Sequence, residues 1–176
     1  MKALTAARQR LVLHWGEMGD RWGVNRTVAQ VHALLYLAAE PVTAEEIATT
    51  LAVARSNVSN SLRELQGWGL VRVVHQFGDR RQHFEALSDV WEMFRVIVEQ
   101  RKQREIDPTL AVLRTCLDEL RESDRDSSEL RHRLDELLDF FLAIDALYSD
   151  ARKLPVPVLK RVLKTRGLLR KVLPNM

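Results

Sequence analysis

The sequence predicts a mainly α-helical protein carrying one small β-hairpin. Two observations lead there. Apolar residues recur at three- and four-residue spacing through most of the 176 residues. The period switches to that of strands only once, between residues 70 and 87. A third observation, a helix rich in Ser and Asn directly ahead of that hairpin, is where function enters.

Taken in order, residues 3–18 form a first helix with Leu4, Ala7, Leu11 and Met18 along one side, and "GDRWGVN" breaks it. Asn25 caps a second helix running to about Ala39, with Val28, Val31, Leu35 and Ala38 on one face. Thr43 and Glu46 have capping-box spacing, so a short helix starts there, with Ile47, Ala48 and Leu51 as its apolar residues. "AVA" is a turn. The next helix runs to about Trp68, and Gly69 can supply its left-handed cap. "LVRVVH" (70–75) and "QHFEAL" (82–87) read as two strands joined by "QFGDRR". Ser88 or Asp89 caps a helix carrying Val90, Trp91, Phe94, Ile97 and Val98. Asp107–Pro108 reads as a helix restart, with Asp as cap and Pro in the first turn. That helix carries Leu110, Leu113, Leu117 and Leu120. "RESDRDSS" is a loop, another helix carries Leu130, Leu134, Leu137, Leu138, Phe141 and Ile144, and a last one spans about 156–172.

Composition narrows the class. A hydrophobic fraction of 46% allows a packed core. No apolar run approaches the ~20 residues of a membrane span, so no membrane partner is expected. "MKALTAARQR" lacks the apolar core of a signal peptide. Cys116 is alone, which rules out a disulfide framework and fits a reducing cytoplasm. The net charge of +3 is unevenly spread. Residues 105–150 hold 5 basic and 13 acidic groups, a net of −8, whereas residues 151–176 hold 8 basic and none acidic, a net of +8.

The helix "SNVSNSLREL" is the informative stretch. Ser56, Asn57, Ser59, Asn60 and Ser61 are indifferent helix formers. Val58, Leu62 and Leu65 nevertheless define one buried side at i, i+4, i+7. At 100° per residue Ser56, Asn60 and Arg63 fall opposite, flanked by Asn57, Ser59 and Glu64. Helix, short turn, helix and basic hairpin in that order are a helix-turn-helix with a wing. The polar face suits the major groove of DNA, where Asn pairs bidentately with adenine and Arg with guanine. Arg55 sits at the helix N-terminus, where backbone N–H groups favour a phosphate. Arg80 and Arg81 at the wing tip suit a narrow minor groove or its phosphates, with Asp79 placed to orient one of them. The competing view is that Ser and Asn cap the helix and decorate a solvated face; for Ser56 the two readings are evenly matched.

These residues resemble the MarR-type winged-helix transcriptional regulators, most closely the GbsR-like branch. The resemblance covers roughly Trp22 to Pro108 and is most specific in "SNVSNSLREL…WGLV" and "GDRR". It implies a homodimer that binds a palindromic operator and represses nearby genes. By that likeness Ser56, Asn57, Ser59, Asn60 and Arg63 contact the major groove, and Arg80 and Arg81 act from the wing. The sequence departs from the common pattern at Ala52, where many helix-turn-helix proteins have Gly.

The expected organisation is an N-terminal helix for dimerisation (1–21), a winged helix-turn-helix (22–88), and a helical dimerisation extension (89–176) ending in a basic amphipathic helix. Leu113, Leu117, Leu120, Leu134, Leu138 and Phe141 are either dimer surface or the subunit's own core. The basic tail is expected to pack on the acidic 105–150 segment. The related family includes members that respond to quaternary-ammonium solutes, and Trp faces bind such cations. Trp15, Trp22, Trp68 and Trp91 are therefore candidates for an effector pocket, or simply helix-packing residues. His14, His32, His75, His83 and His132 lack metal-ligand spacing, and no cofactor motif, phosphate loop or nucleophile elbow is present. An enzyme is the weakest alternative. A winged helix used only for protein–protein assembly is the stronger one, but it needs apolar anchors where this helix shows Ser, Asn and Arg.

Overall fold

A computed structural model describes residues 4–122 and 128–164. Most of the loop expected over residues 121–128, and the last helix beyond Lys164, lie outside the described residues. The chain divides into two units, Met1–Ile97 and Val98–Met176.

In the first unit the order is α1 (Ala6–Arg21), α2 (Arg26–Leu37), β1 (Val42–Thr43), α3 (Ala44–Leu51), α4 (Arg55–Gly67), β2 (Val71–Val74) and β3 (His83–Ala86), then the start of α5 (Val90–Arg101). Helix α2 is the central element. Asn25 caps it, accepting the Thr27 N–H at 2.8 Å. Val28, Ala29, Val31, His32, Ala33, Leu34 and Leu35 are all buried. The expected single apolar face is thus only part of a helix covered on several sides, by α1, α3, α4 and β3.

Helix α1 runs through Arg21, past the expected break. Its buried residues are Val12, Gly16 and Gly19, whereas Ala7 and Leu11 are exposed. The apolar-spacing rule missed this face because glycines mark it. A Cβ at Gly19 would stand 2.4 Å from the Ala29 Cβ, so the α1–α2 approach needs the missing side chain.

The capping box at the start of α3 is complete. The Glu46 N–H donates to Thr43 Oγ1, and the Thr43 N–H donates to Glu46 Oε2 at 3.0 Å. Helix α4 ends as expected at Gly69, which has φ +77°. The Leu70 N–H reaches the Leu65 carbonyl at 2.9 Å and the Gly69 N–H the Gln66 carbonyl at 3.0 Å.

The sheet has three antiparallel strands in the order β1-β3-β2, not two. Val42 pairs with Phe84 and Thr43 with His83. A two-residue strand carries no period, and Thr43 serves both as strand residue and as helix cap, so β1 was invisible to alternation. The hairpin register places Arg72 opposite Glu85, where they form a 2.5 Å ion pair.

Asp89 caps α5, accepting the N–H groups of Trp91 at 2.8 Å and Glu92 at 3.0 Å. The expected restart at Asp107–Pro108 is not a new beginning. Helix α5 continues through a π-helical turn, Lys102–Ile106, into α6 (Asp107–Glu122). The Asp107 N–H bonds the Lys102 carbonyl five residues back. Widening the turn relieves the clash between the Pro108 ring and the preceding turn's carbonyl. Asp107 then accepts from Lys102 Nζ at 2.5 Å instead of capping.

In the second unit α6 packs on α7 (Ser128–Lys153), and α8 (Val156–Lys164) follows. Leu110, Leu113 and Leu117 are buried on α6. Leu134, Leu138 and Phe141 are half-buried on α7. Most of the expected leucine stripe is therefore this chain's own core. Lys102 Nζ also meets Asp145 Oδ1 at 3.0 Å. The Tyr148 hydroxyl bonds Glu99, and Arg152 reaches that carboxylate at 3.1 Å.

Candidate nucleic-acid interface

The inner face of α4 is closed. Val58 is wholly inaccessible, and Leu62 and Leu65 are buried with it. Ser61 is buried as well, and its hydroxyl donates to the Asn57 carbonyl at 2.8 Å. That back-bond satisfies a polar group inside the helix and removes Ser61 from the outward set.

Arg55, Ser56, Asn57, Ser59, Asn60 and Arg63 are all exposed. The N-cap of α4 is Ala54, which has no side chain able to accept a hydrogen bond. Ser56 therefore does not cap the helix. The Asn57 N–H donates to the Ala54 carbonyl at 3.0 Å, which leaves the N–H groups of Arg55 and Ser56 for an external anion. Asn60 and Arg63 are joined: Arg63 Nη1 donates to Asn60 Oδ1 at 3.3 Å.

The wing carries its arginines differently. Arg81 folds onto Asp79, with Nη2 at 2.6 Å and Nε at 3.0 Å from the carboxylate, and the Arg81 N–H donates to Asp79 Oδ1 at 2.9 Å. The Arg81 guanidinium holds the Asp79 carboxyl far below the usual carboxylate range. Buried His83 supports this turn, its Nδ1–H donating to the Arg81 carbonyl at 3.2 Å. Arg81 is thus a held cation, and Arg80 points into solvent beside it.

One cleft of about 410 Å³ gathers Arg55, Ser59 and Arg63 from α4 with Arg81 from the wing. Gln66, Gln82 and Glu45 complete its polar rim. The two glutamines were missed. Gln66 lies one turn beyond Arg63 on the same edge, and Gln82 directly follows the arginine pair, so helical spacing and adjacency were the available signals.

The four Trp are not gathered into one box. Trp15 lines an apolar pocket of about 170 Å³ with Leu11, His32, Ala33, Tyr36, Leu37, Val90 and Met93. Trp22 is half exposed past the end of α1, Trp68 ends α4 and Trp91 lies in the first turn of α5; none of the three lines that pocket. His32 does, and sequence reading passed over it. It is 4% exposed, its Nε2 has no hydrogen-bond partner, and burial pulls its pKa down to about 4. Among the described residues no group of His, Cys, Asp or Glu is arranged to hold a metal. No described helix is long and apolar enough to cross a membrane.

No curated protein sequence matches the chain. Among solved structures it is similar to the crystal structure of a transcriptional regulator, at 22% identity over 82% of this chain and 95% of that one, with a TM-score of 0.65. It is also similar to the S. aureus MepR–DNA complex, at 18% identity over 64% of this chain and 99% of that one, with a TM-score of 0.37. The winged-helix segment, residues 22–82, matches the model of the MarR family.

Proposed function

We propose that the chain is a sequence-specific DNA-binding transcriptional regulator, acting as a homodimeric repressor on a palindromic operator. The observation that carries this is the single cleft shared by Arg55, Ser59, Arg63 and Arg81. It combines cations for the phosphate backbone with short polar side chains that let a helix approach base edges. The MarR-family match over the same segment supports it. Asn60 and Arg63 are the base readers, Arg55 and Ser56 hold a phosphate at the open N-terminus of α4, and Asn57 and Ser59 flank them. Arg80 and Arg81 act from the wing.

The dimer reading rests on α7, which leaves Leu137, Phe140 and Leu147 exposed at the three- and seven-residue spacings of a helix–helix seam. Two copies would present two α4 helices to half-sites about 34–36 Å apart. An occupied operator blocks transcription. The effector reading rests on the Trp15 pocket, whose lining is almost wholly apolar apart from His32. It suits a small, mostly apolar molecule with one hydrogen-bonding group. The GbsR-like assignment stands on the sequence resemblance alone.

The test is selection of bound fragments from random-sequence duplex DNA, followed by titration at several salt concentrations. A shared palindromic sequence, with affinity falling steeply as salt rises, is expected. Asn60→Ala should weaken the selected site by about 1–3 kcal/mol and leave unrelated DNA unaffected. Recovery of no common sequence would sink the reading.

A further inference from the structure

The wing holds a side chain that neither the core nor the cation pattern explains. Phe77 is 109% exposed, more than any other large apolar residue of the described chain. A solvent-facing aromatic ring is unfavourable in the free protein, and its position is not accidental backbone slack. The Asp79 N–H closes a turn on the Gln76 carbonyl at 3.2 Å, and Gly78 has φ +84°. These are the marks of a type II β-turn with Phe77 and Gly78 at its two central positions. The first central position is the corner of such a turn, so the ring projects from the loop that joins β2 and β3. Three and four residues on come Arg80 and Arg81, the latter locked to Asp79. The wing thus carries an exposed apolar ring on a closed turn, followed in sequence by Arg80 and by the paired Asp79 and Arg81.

We propose that Phe77 is a wedge that enters the minor groove of duplex DNA beside the operator half-site and partly unstacks one base step. Side chains of this kind, Phe among them, unstack steps and kink the duplex when cations alongside hold the phosphates. The chemistry selects the partner. A purely apolar protein site would be repelled by neither arginine but would leave both desolvated, whereas a nucleic acid satisfies ring and cations together. The ring would add specificity for an easily unstacked pyrimidine–purine step at a position no hydrogen bond reads. This inference rests on the DNA-binding reading above.

The experiment uses the full chain and the duplex recovered by selection from random-sequence DNA, with 2-aminopurine placed in turn at each adenine outside the major-groove contacts. Wild-type binding should brighten 2-aminopurine at one step per half-site. Phe77→Ala should abolish that signal and weaken binding about tenfold, while Phe77→Leu keeps most of both. Because the residue is exposed, the melting temperature of each variant should match wild type, and this is measured alongside. If the wild type binds and Asn60→Ala loses specificity, but Phe77→Ala is neutral, the wedge is wrong and the DNA-binding reading stands. Weaker binding by Phe77→Ala without any 2-aminopurine signal in the wild type also overturns insertion. If no duplex is bound, both fall.

Discussion

The two units differ in how completely their helices enclose apolar side chains. In residues 1–97 the stripes of α2, α3 and α4 close on one another, and Val31, Ile47 and Val58 are wholly inaccessible. In residues 98–176 α6 buries Leu110, Leu113 and Leu117, but the 26-residue α7 fully buries none of its side chains. Leu130, Leu137, Phe140 and Leu147 stay exposed there, Leu147 at 72%. The first unit is specified by its own sequence, and its outward polar residues are free to recognise something else. Among the described residues of the second, α7 keeps one apolar side uncovered within a single chain.

The comparison breaks most readily at α7. Replacing Leu137, Phe140 and Leu147 together by Asp should convert a dimer into a monomer, read as a halved mass by light scattering. Each side chain buried at such a seam is worth roughly 1.5–3 kcal/mol, so three exceed what a weak dimer can lose. The first unit's melting should hardly move. A wild-type chain that runs as a monomer, or a triple variant of unchanged mass, would show that α7's exposed stripe is not waiting for a second copy.

Acid sharpens the contrast from the other side. The closed core of the first unit contains a neutral histidine, His32, whose folded pKa of about 4 lies below the unfolded value of 6.5. Above pH 6.5 neither state binds the proton and the core has its full stability. Between pH 6.5 and 4 the unfolded chain takes a proton the folded one refuses, so stability falls by roughly 3 kcal/mol and then levels off. Glu46 titrates lower, because the Thr43 N–H and hydroxyl hold its pKa near 2, so its loss comes below pH 4.5. In His32→Leu the limb between pH 6.5 and 4.5 should vanish from denaturant titrations. Persistence of that limb would place the acid-sensitive group elsewhere.

What the sequence revealed follows the same divide. Asn25, Thr43–Glu46 and Gly69 announced their roles because capping is local chemistry, and the structure shows each in place; of Ser88 and Asp89, both open as caps in the sequence, it is Asp89 that accepts. The closed side of α4 followed from period alone. Strand β1 is too short to have a period, and the packed face of α1 is written in glycines, which no apolar count registers. Pro108 was read as a boundary because a regular α-helix cannot absorb it; a π turn can. Ser56 changed standing because Ala54 turned out to be the cap. Arg63 bonding Asn60 depends on rotamers, which spacing does not specify.

That bond gives the next prediction, a contrast within the first unit between the two sides of α4. If Arg63 holds the Asn60 carbonyl, the two residues read DNA as a pair. Asn60→Ala and Arg63→Ala should each weaken the selected site by about 1–3 kcal/mol, and the double variant should lose about 1 kcal/mol less than their sum. Leu65→Ala, on the closed side, should cost about 2–5 kcal/mol of folding stability while leaving the affinity of the folded fraction unchanged. Strict additivity of the Asn60 and Arg63 losses would mean the two contact DNA independently.

The smallest expected effect lies at the turn between α3 and α4, where the otherwise well-satisfied first unit carries strain. Ala52 has φ +53° and ψ +42°, the one non-glycine residue at positive φ among those described. The turn is closed as at Gly69: the Val53 N–H reaches the Ala48 carbonyl at 3.1 Å, and the Ala52 N–H the Thr49 carbonyl at 3.4 Å. A left-handed cap normally falls to glycine because a Cβ there crowds the following carbonyl, at roughly 1–2 kcal/mol. Glycine returns about 0.4–1 kcal/mol of that through its freer unfolded chain. Ala52→Gly should therefore stabilise the first unit by about 0.5–1 kcal/mol, read as a higher denaturant midpoint with unchanged slope. DNA affinity should stay the same, since Ala52 lies outside the cleft. A fall in stability would mean that the Ala52 methyl makes packing contacts worth more than the strain it imposes.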